Sequence, residues 1–265
     1  MVAIPTARPI LTPEPDLRAT SLPPRPVSPE DSPMFFDPLY MLVMVPGLLL
    51  SLWASFKVKS TFARYSQVRP HSGLSGADAA RALLRRSHVE GVRVEEVQGF
   101  LSDHYDPSAR VLRLSPDVYN GRSLAALGVA AHEAGHALQH ATKYAPLAFR
   151  SLVVKPASFG SSLGMYAVMG GLLLHVQPLI WVGIVAFSLF VVFTLVTLPV
   201  EFNASSRAVA ALQSTWMITA DEVQGTRKVL DAAALTYVAA AIGAILNLLY
   251  LLWRAGLFGG SQRED

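Results

Sequence analysis

The chain contains no cysteine. This excludes disulfides, thiolate nucleophiles and cysteine-ligated metals, so any bound metal must use His, Asp or Glu. Charge is also scarce. Asp, Glu, Lys and Arg make up 15% of the 265 residues, against about 25% in an average soluble domain, while 52% are hydrophobic. That deficit points to lipid as part of the solvent, and the length leaves room for several spans of about 20 residues plus one extramembrane domain. The formal net charge is +3, yet the basic residues form no long block and fall largely beside apolar runs. They read as membrane-flanking charges, and nothing in the chain reads as nucleic-acid binding.

Residues 1–34 are dense in proline and lack both periodicity and an apolar core, the composition of a disordered tail rather than of a signal peptide. The apolar run at 35–56 is expected to be the first membrane span. Residues 157–200 hold two further runs joined by a short linker with His175, Gln177 and Pro178, which predicts a two-span hairpin. The first of these runs is rich in glycine and serine (Gly160, Ser161, Ser162, Gly164), which suits close helix packing. A fourth span is expected at 232–253, before a short polar tail at 254–265. The expected fold class is thus an α-helical multi-pass membrane protein of about four spans. A small α+β domain, residues 57–151, is inserted between spans one and two.

Inside that domain Ser75 and Asp78 frame a helix start, and Val92-Arg93-Val94 reads as a strand. Asp106-Pro107-Ser108-Ala109 is a turn sequence, followed by the alternating strand Val111-Leu112-Arg113-Leu114. From Ser123 the run SLAALGVAAHEAGHALQH is helical in character. In it His132 and His136 stand four residues apart, about 40° apart around the helix axis, so both imidazoles can reach one ion. Glu133, about 100° around from His132, is placed to act on water rather than to bind metal, which is the general-base role in zinc proteolysis. Gly135 is costly inside a helix and predicts a close approach of another element.

A motif this short arises by chance, and buried structural histidines are common. Against that, His132, His136 and His140 are three of only 7 histidines, gathered on an otherwise apolar helix. His140 lies two turns from His132, about 12 Å of rise, too far to share an ion with it. A catalytic zinc needs a third protein ligand. Glu201 is the strongest candidate: it directly ends an apolar run, and with a hairpin at 157–200 it emerges on the same side as the 57–151 domain. Its competing explanation is an interfacial anchor. The expected cofactor is one Zn2+ per chain, and the domain reads as metallopeptidase-like. Asp103 and Asp231 are candidate hydrogen-bond partners of the zinc histidines, with helix capping the rival explanation for Asp231. His104 and Tyr237 are candidates to hold an oxyanion, and strand 111–114 could offer its edge to an extended peptide.

The blocks FKVKSTFARYS, HYDPSARVLRLSPDVYNGRSLAALGVAAHEAGHALQH, TLPVEFNASSRA and KVLDAAALTYVAAA resemble those of the YugP-like membrane zinc metallopeptidases, a gluzincin-type family of neutral peptidases. The likeness runs from about Phe36 to Trp253. It implies that His132, His136 and Glu201 are zinc ligands and Glu133 the catalytic base. One departure from the wider gluzincin pattern stands out: Ser205 occupies the place, four residues after the ligand Glu, where related enzymes carry an Asp.

Two functions from different classes are weighed. One is a membrane-embedded zinc endopeptidase acting on peptide or membrane-protein substrates at the bilayer, and an intact Glu133 favours it. The other is a non-catalytic, zinc-stabilised scaffold. Transport is disfavoured because polar groups within spans are sparse, Asn247 being the clearest. Lys57, Lys59, Arg64, Arg69, Lys143, Arg150, Arg207, Arg227 and Lys228 all fall on the domain side of the spans, so the chain is expected in the cell membrane with its active site facing the cytoplasm. The oligomeric state is not legible.

Overall fold

The computed structural model describes residues 37–99 and 101–257; the proline-rich tail expected at 1–34 lies outside them. Ten elements follow in order: α1 (Pro38–Tyr65), α2 (Gly76–Arg86), β1 (Arg93–Glu96), β2 (His104–Asp106), β3 (Val111–Leu114), α3 (Pro116–Tyr119), α4 (Leu124–Ala141), α5 (Ala145–Leu173), α6 (Gln177–Ser214) and α7 (Ala220–Arg254).

Local chemistry sets the boundaries. The Ser75 hydroxyl accepts from the Asp78 N–H and opens α2, and the Ser123 hydroxyl accepts from the Ala126 N–H and opens α4. Asp106 Oδ1 accepts from the N–H groups of Ser108 and Ala109, an Asx turn that reverses the chain from β2 into β3. The sheet order is β1-β3-β2, with β1 parallel and β2 antiparallel to β3. This corrects one expectation. Strand 111–114 is central and buried, its backbone groups already spent on both neighbours, so it has no edge to offer.

Among the described residues three helices are long and apolar enough to cross a membrane: α1, α6 and α7. Helix α5 has 29 residues and turns straight into α6, as a hairpin would, but is not among the three. The α5–α6 pair is held close by small residues: a Cβ at Gly160 would clash with the Ala186 carbonyl, and one at Gly164 would stand 2.8 Å from the Gly183 carbonyl. Helix α6 runs 38 residues, roughly 57 Å at 1.5 Å per residue, nearly twice a hydrocarbon core of about 30 Å. Its apolar first part ends at Val200, and the helix runs on through Pro199 to Ser214.

That continuation matters for the site. The core around α4 includes Leu83, Leu112, Leu114, Leu127 and Ala131, and also Ala208 and Leu212 of α6 and Leu230 of α7. The extramembrane core is therefore completed by the ends of two long apolar helices.

Candidate metal centre

Helix α4 crosses α6 at Gly135, where an added Cβ would stand 2.6 Å from the Ala204 carbonyl. The predicted close approach is there, and its consequence is chemical: it lays the His132–His136 face of α4 against Glu201 of α6. Glu201 Oε2 is 3.1 Å from His132 Nε2 and 3.5 Å from His136 Nε2. The three ligand atoms lie within 4.8 Å of one another. Donor atoms about 2.0–2.1 Å from a tetrahedral zinc sit roughly 3.4 Å apart, so two neutral imidazoles and one carboxylate at these distances fit the ion.

The ring nitrogens facing away from the cluster are both engaged, which fixes the tautomers. His136 Nδ1–H donates to Gln139 Oε1 (3.0 Å), and the Gln139 amide donates in turn to the Val200 carbonyl (2.8 Å) and to Asn203 Oδ1 (3.0 Å). Arg207 Nε also donates to Asn203 Oδ1, at 2.8 Å. His132 Nδ1–H donates to the Ser205 hydroxyl, at 3.1 Å. Gln139 is fully buried. Burial opposes charge on His136, but the hydrogen bond to Glu201 and the nearby Glu133 and Glu201 charges outweigh it and raise the pKa.

A cavity of about 270 Å³ opens beside the cluster, lined by His132, Glu133, Glu201, Ser205, Asp103 and Tyr237 among others. Glu133 is buried on this cavity rather than in the ligand cluster. Asp103 accepts from the Ser115 N–H and hydroxyl at 2.8–3.1 Å; burial pushes its carboxyl up, the Ser115 bonds oppose this, and the Glu133 charge adds to the rise. Tyr237 of α7 interacts with the Glu201 carboxylate.

The family model described as "Putative neutral zinc metallopeptidase" matches residues 40–256. The chain belongs to that family. A relative from Bacillus subtilis (strain 168), described as "Putative membrane protease YugP", is 49% identical over 211 residues, covering 80% of this chain and 94% of that protein. No protein of solved structure matches the chain. The family is one of zinc enzymes, and the His132–His136–Glu201 cluster is where this chain can hold the ion.

Other sequence candidates fall elsewhere. His140 pairs with the Tyr105 hydroxyl at 2.9 Å, outside the cluster. His104 is exposed and its ring bonds to the Ser102 carbonyl and Arg113, so it does not hold an oxyanion in the cavity. No hydrogen bond joins Asp103 or Asp231 to His132 or His136: Gln139 and Ser205 take that place. Asp231 is also not at a helix start, because α7 opens eleven residues earlier with a Thr219–Glu222 capping box. Gln139 had a usable sequence signal, being three residues after His136 on one helix and so on a neighbouring face. Ser205, one turn after Glu201, carries no sequence signal for this role beyond standing where related enzymes have a carboxylate.

Proposed function

We propose that the protein is a membrane-embedded endopeptidase that hydrolyses peptide bonds of membrane or membrane-adjacent proteins, with one zinc per chain held by His132, His136 and Glu201. The observation that carries this reading is the convergence of both His Nε2 atoms on Glu201 Oε2 with Glu133 on the adjoining cavity. When bound, zinc supplies Lewis acidity that polarises a carbonyl and eases deprotonation of water. Glu133 takes a proton from the attacking water and returns it to the leaving amine. Tyr237, on the same cavity, donates its phenolic hydrogen to the developing oxyanion. With β3 covered on both sides, β1 and β2 are the edge strands, and β2, which directly follows Asp103 of the cavity lining, is the one assigned to pair an extended substrate.

The site would sit at the bilayer surface. Glu201 lies 24 residues into α6, roughly 36 Å along it, about one hydrocarbon thickness from the α5–α6 turn. We take α5 as a fourth span paired with α6, which puts Glu201 and the 57–151 region on one side, and the bias of Lys and Arg beside the spans makes that side cytoplasmic.

The test is zinc content of the detergent-purified chain, beside His136→Ala, Glu201→Ala and Glu133→Gln. One zinc in the wild type, lost in the first two variants and kept in the third with peptide cleavage abolished, is the expected pattern. Cleavage surviving in Glu133→Gln would sink the catalytic reading and leave the zinc-stabilised scaffold.

A further inference from the structure

Arg150 of α5 is a cation in the wrong place for an ordinary interfacial anchor. Its helix neighbours Phe149 and Leu152 are exposed apolar side chains, and an arginine there normally snorkels toward water. Instead its guanidinium reaches the buried Glu201: Nη2 is 3.7 Å from Oε1, and the group lies over the Phe193 ring at 5.9 Å. Arg150 Nε is buried and has no hydrogen-bond partner among the described residues. A partly buried ion pair of this kind is weak evidence for stability, since desolvation offsets most of the attraction. Stability alone therefore gives little reason for it.

The geometry at Glu201 gives a better one. The two carboxylate oxygens are divided: Oε2 faces the His132 and His136 Nε2 atoms, and Oε1 faces Arg150. A free carboxylate could turn both oxygens to a metal or rotate out of the cluster. We propose that Arg150 is a positioning residue that holds Oε1, so that Glu201 ligates zinc through Oε2 alone and a coordination position stays open for water or substrate. This rests on the reading of Glu201 as third ligand. Charge supports it. Arg150 adds a positive charge beside a cavity that carries the carboxyl groups of Glu201, Glu133 and Asp103, which favours a carbonyl oxygen gaining negative charge. Phe193 and Glu201 lie two turns apart on α6, so a single helix presents both the ring and the carboxylate to one guanidinium.

The experiment is cobalt substitution of the full chain in detergent, comparing wild type, Arg150→Gln and Arg150→Lys by visible absorption and by zinc affinity in chelator competition. Arg150→Gln is expected to shift the cobalt bands toward higher coordination, with weaker absorption, and to lower zinc affinity up to about 10-fold, the low end of the effect of losing a ligand's outer partner, because the contact is an ion pair and not a hydrogen bond. Arg150→Lys, which restores charge without the planar fork, is expected to fall between the two. Wild-type bands and affinity in Arg150→Gln, with or without a lower melting temperature, would overturn the proposal and leave Arg150 as a packing residue. Should Arg150→Gln not fold, Arg150→Lys decides: its bands must shift in the same direction, and unchanged bands overturn the role. Failure of the wild type itself to bind one cobalt would instead refute the three-ligand site, a distinct result.

Discussion

The stretch from residue 69 to residue 148 and the long helices around it handle apolar side chains in opposite ways. In the former, Leu101 is the one exposed large hydrophobic among the described residues; in the latter, Leu42, Leu52, Phe56, Leu152, Leu163 and Val185 and others stand open. A water-facing surface cannot sustain such a belt without aggregation, whereas lipid accepts it. Apolar exposure thus marks the solvent of each region, and the candidate metal site lies at the seam, with its histidines from α4 and its carboxylate from the end of an apolar helix. Two regions that fold by different rules meet in one cluster, and changes on either side should reach it unequally.

The largest effect is expected inside the water-facing region. Leu114→Ala, at a fully buried position of β3, should destabilise by about 2–5 kcal/mol in denaturant unfolding. A loss below about 1 kcal/mol would mean that this region does not rely on a packed core. At the seam, Gly135→Ala must push α4 off the Ala204 carbonyl. It should cost about 1–3 kcal/mol and also lower zinc content by separating Glu201 from the histidines, as metal analysis of the folded variant would reveal. Loss of stability with full zinc retention would show that the seam tolerates movement.

Gln139→Ala removes the acceptor of His136 Nδ1 and the tie to Val200, and should weaken zinc binding about 10–100-fold. Ser205→Ala, which removes one neutral acceptor of His132, should weaken it less. Zinc affinity should also depend on pH. The folded-state pKa of His136 is raised, so below it the ion must displace a proton, and affinity should fall about tenfold per pH unit of acidification; above it that competition ends. A chelator-competition series between about pH 6 and 8 that came out flat would show that His136 carries no proton to displace. The smallest effect belongs to the helices with exposed apolar faces: Leu163→Ala, at a 61% exposed position, should change unfolding stability in detergent by no more than about 0.5 kcal/mol. A cost like that of Leu114→Ala would break the comparison and place α5 against another protein surface.

Much of the local structure was legible. Ser75 and Ser123 cap their helices because a hydroxyl acting on an N–H three residues on is a short-range event. The strand read at 92–94 overlaps β1 (Arg93–Glu96), and 111–114 is legible from its alternation, but the order of the strands is not. β2, only three residues long, carries no periodic signal and exists because β3 pairs with it. The expectation of an open edge on 111–114 failed for that reason.

The sequence by itself determined the chemistry of the centre. The absence of cysteine and the four-residue spacing of His132 and His136 on one helix follow from composition and helical period, and Glu201 was singled out where the apolar run stops. Only the tertiary structure decided which groups complete it. Ser205 and Arg150 reach the ligands across the α4–α6 and α5–α6 contacts, and Gln139, on α4 beside His136, is held in place by Val200 and Asn203 of α6. Those contacts depend on how closely two backbones approach at Gly135 and Gly160, a distance that no pattern along a single helix encodes.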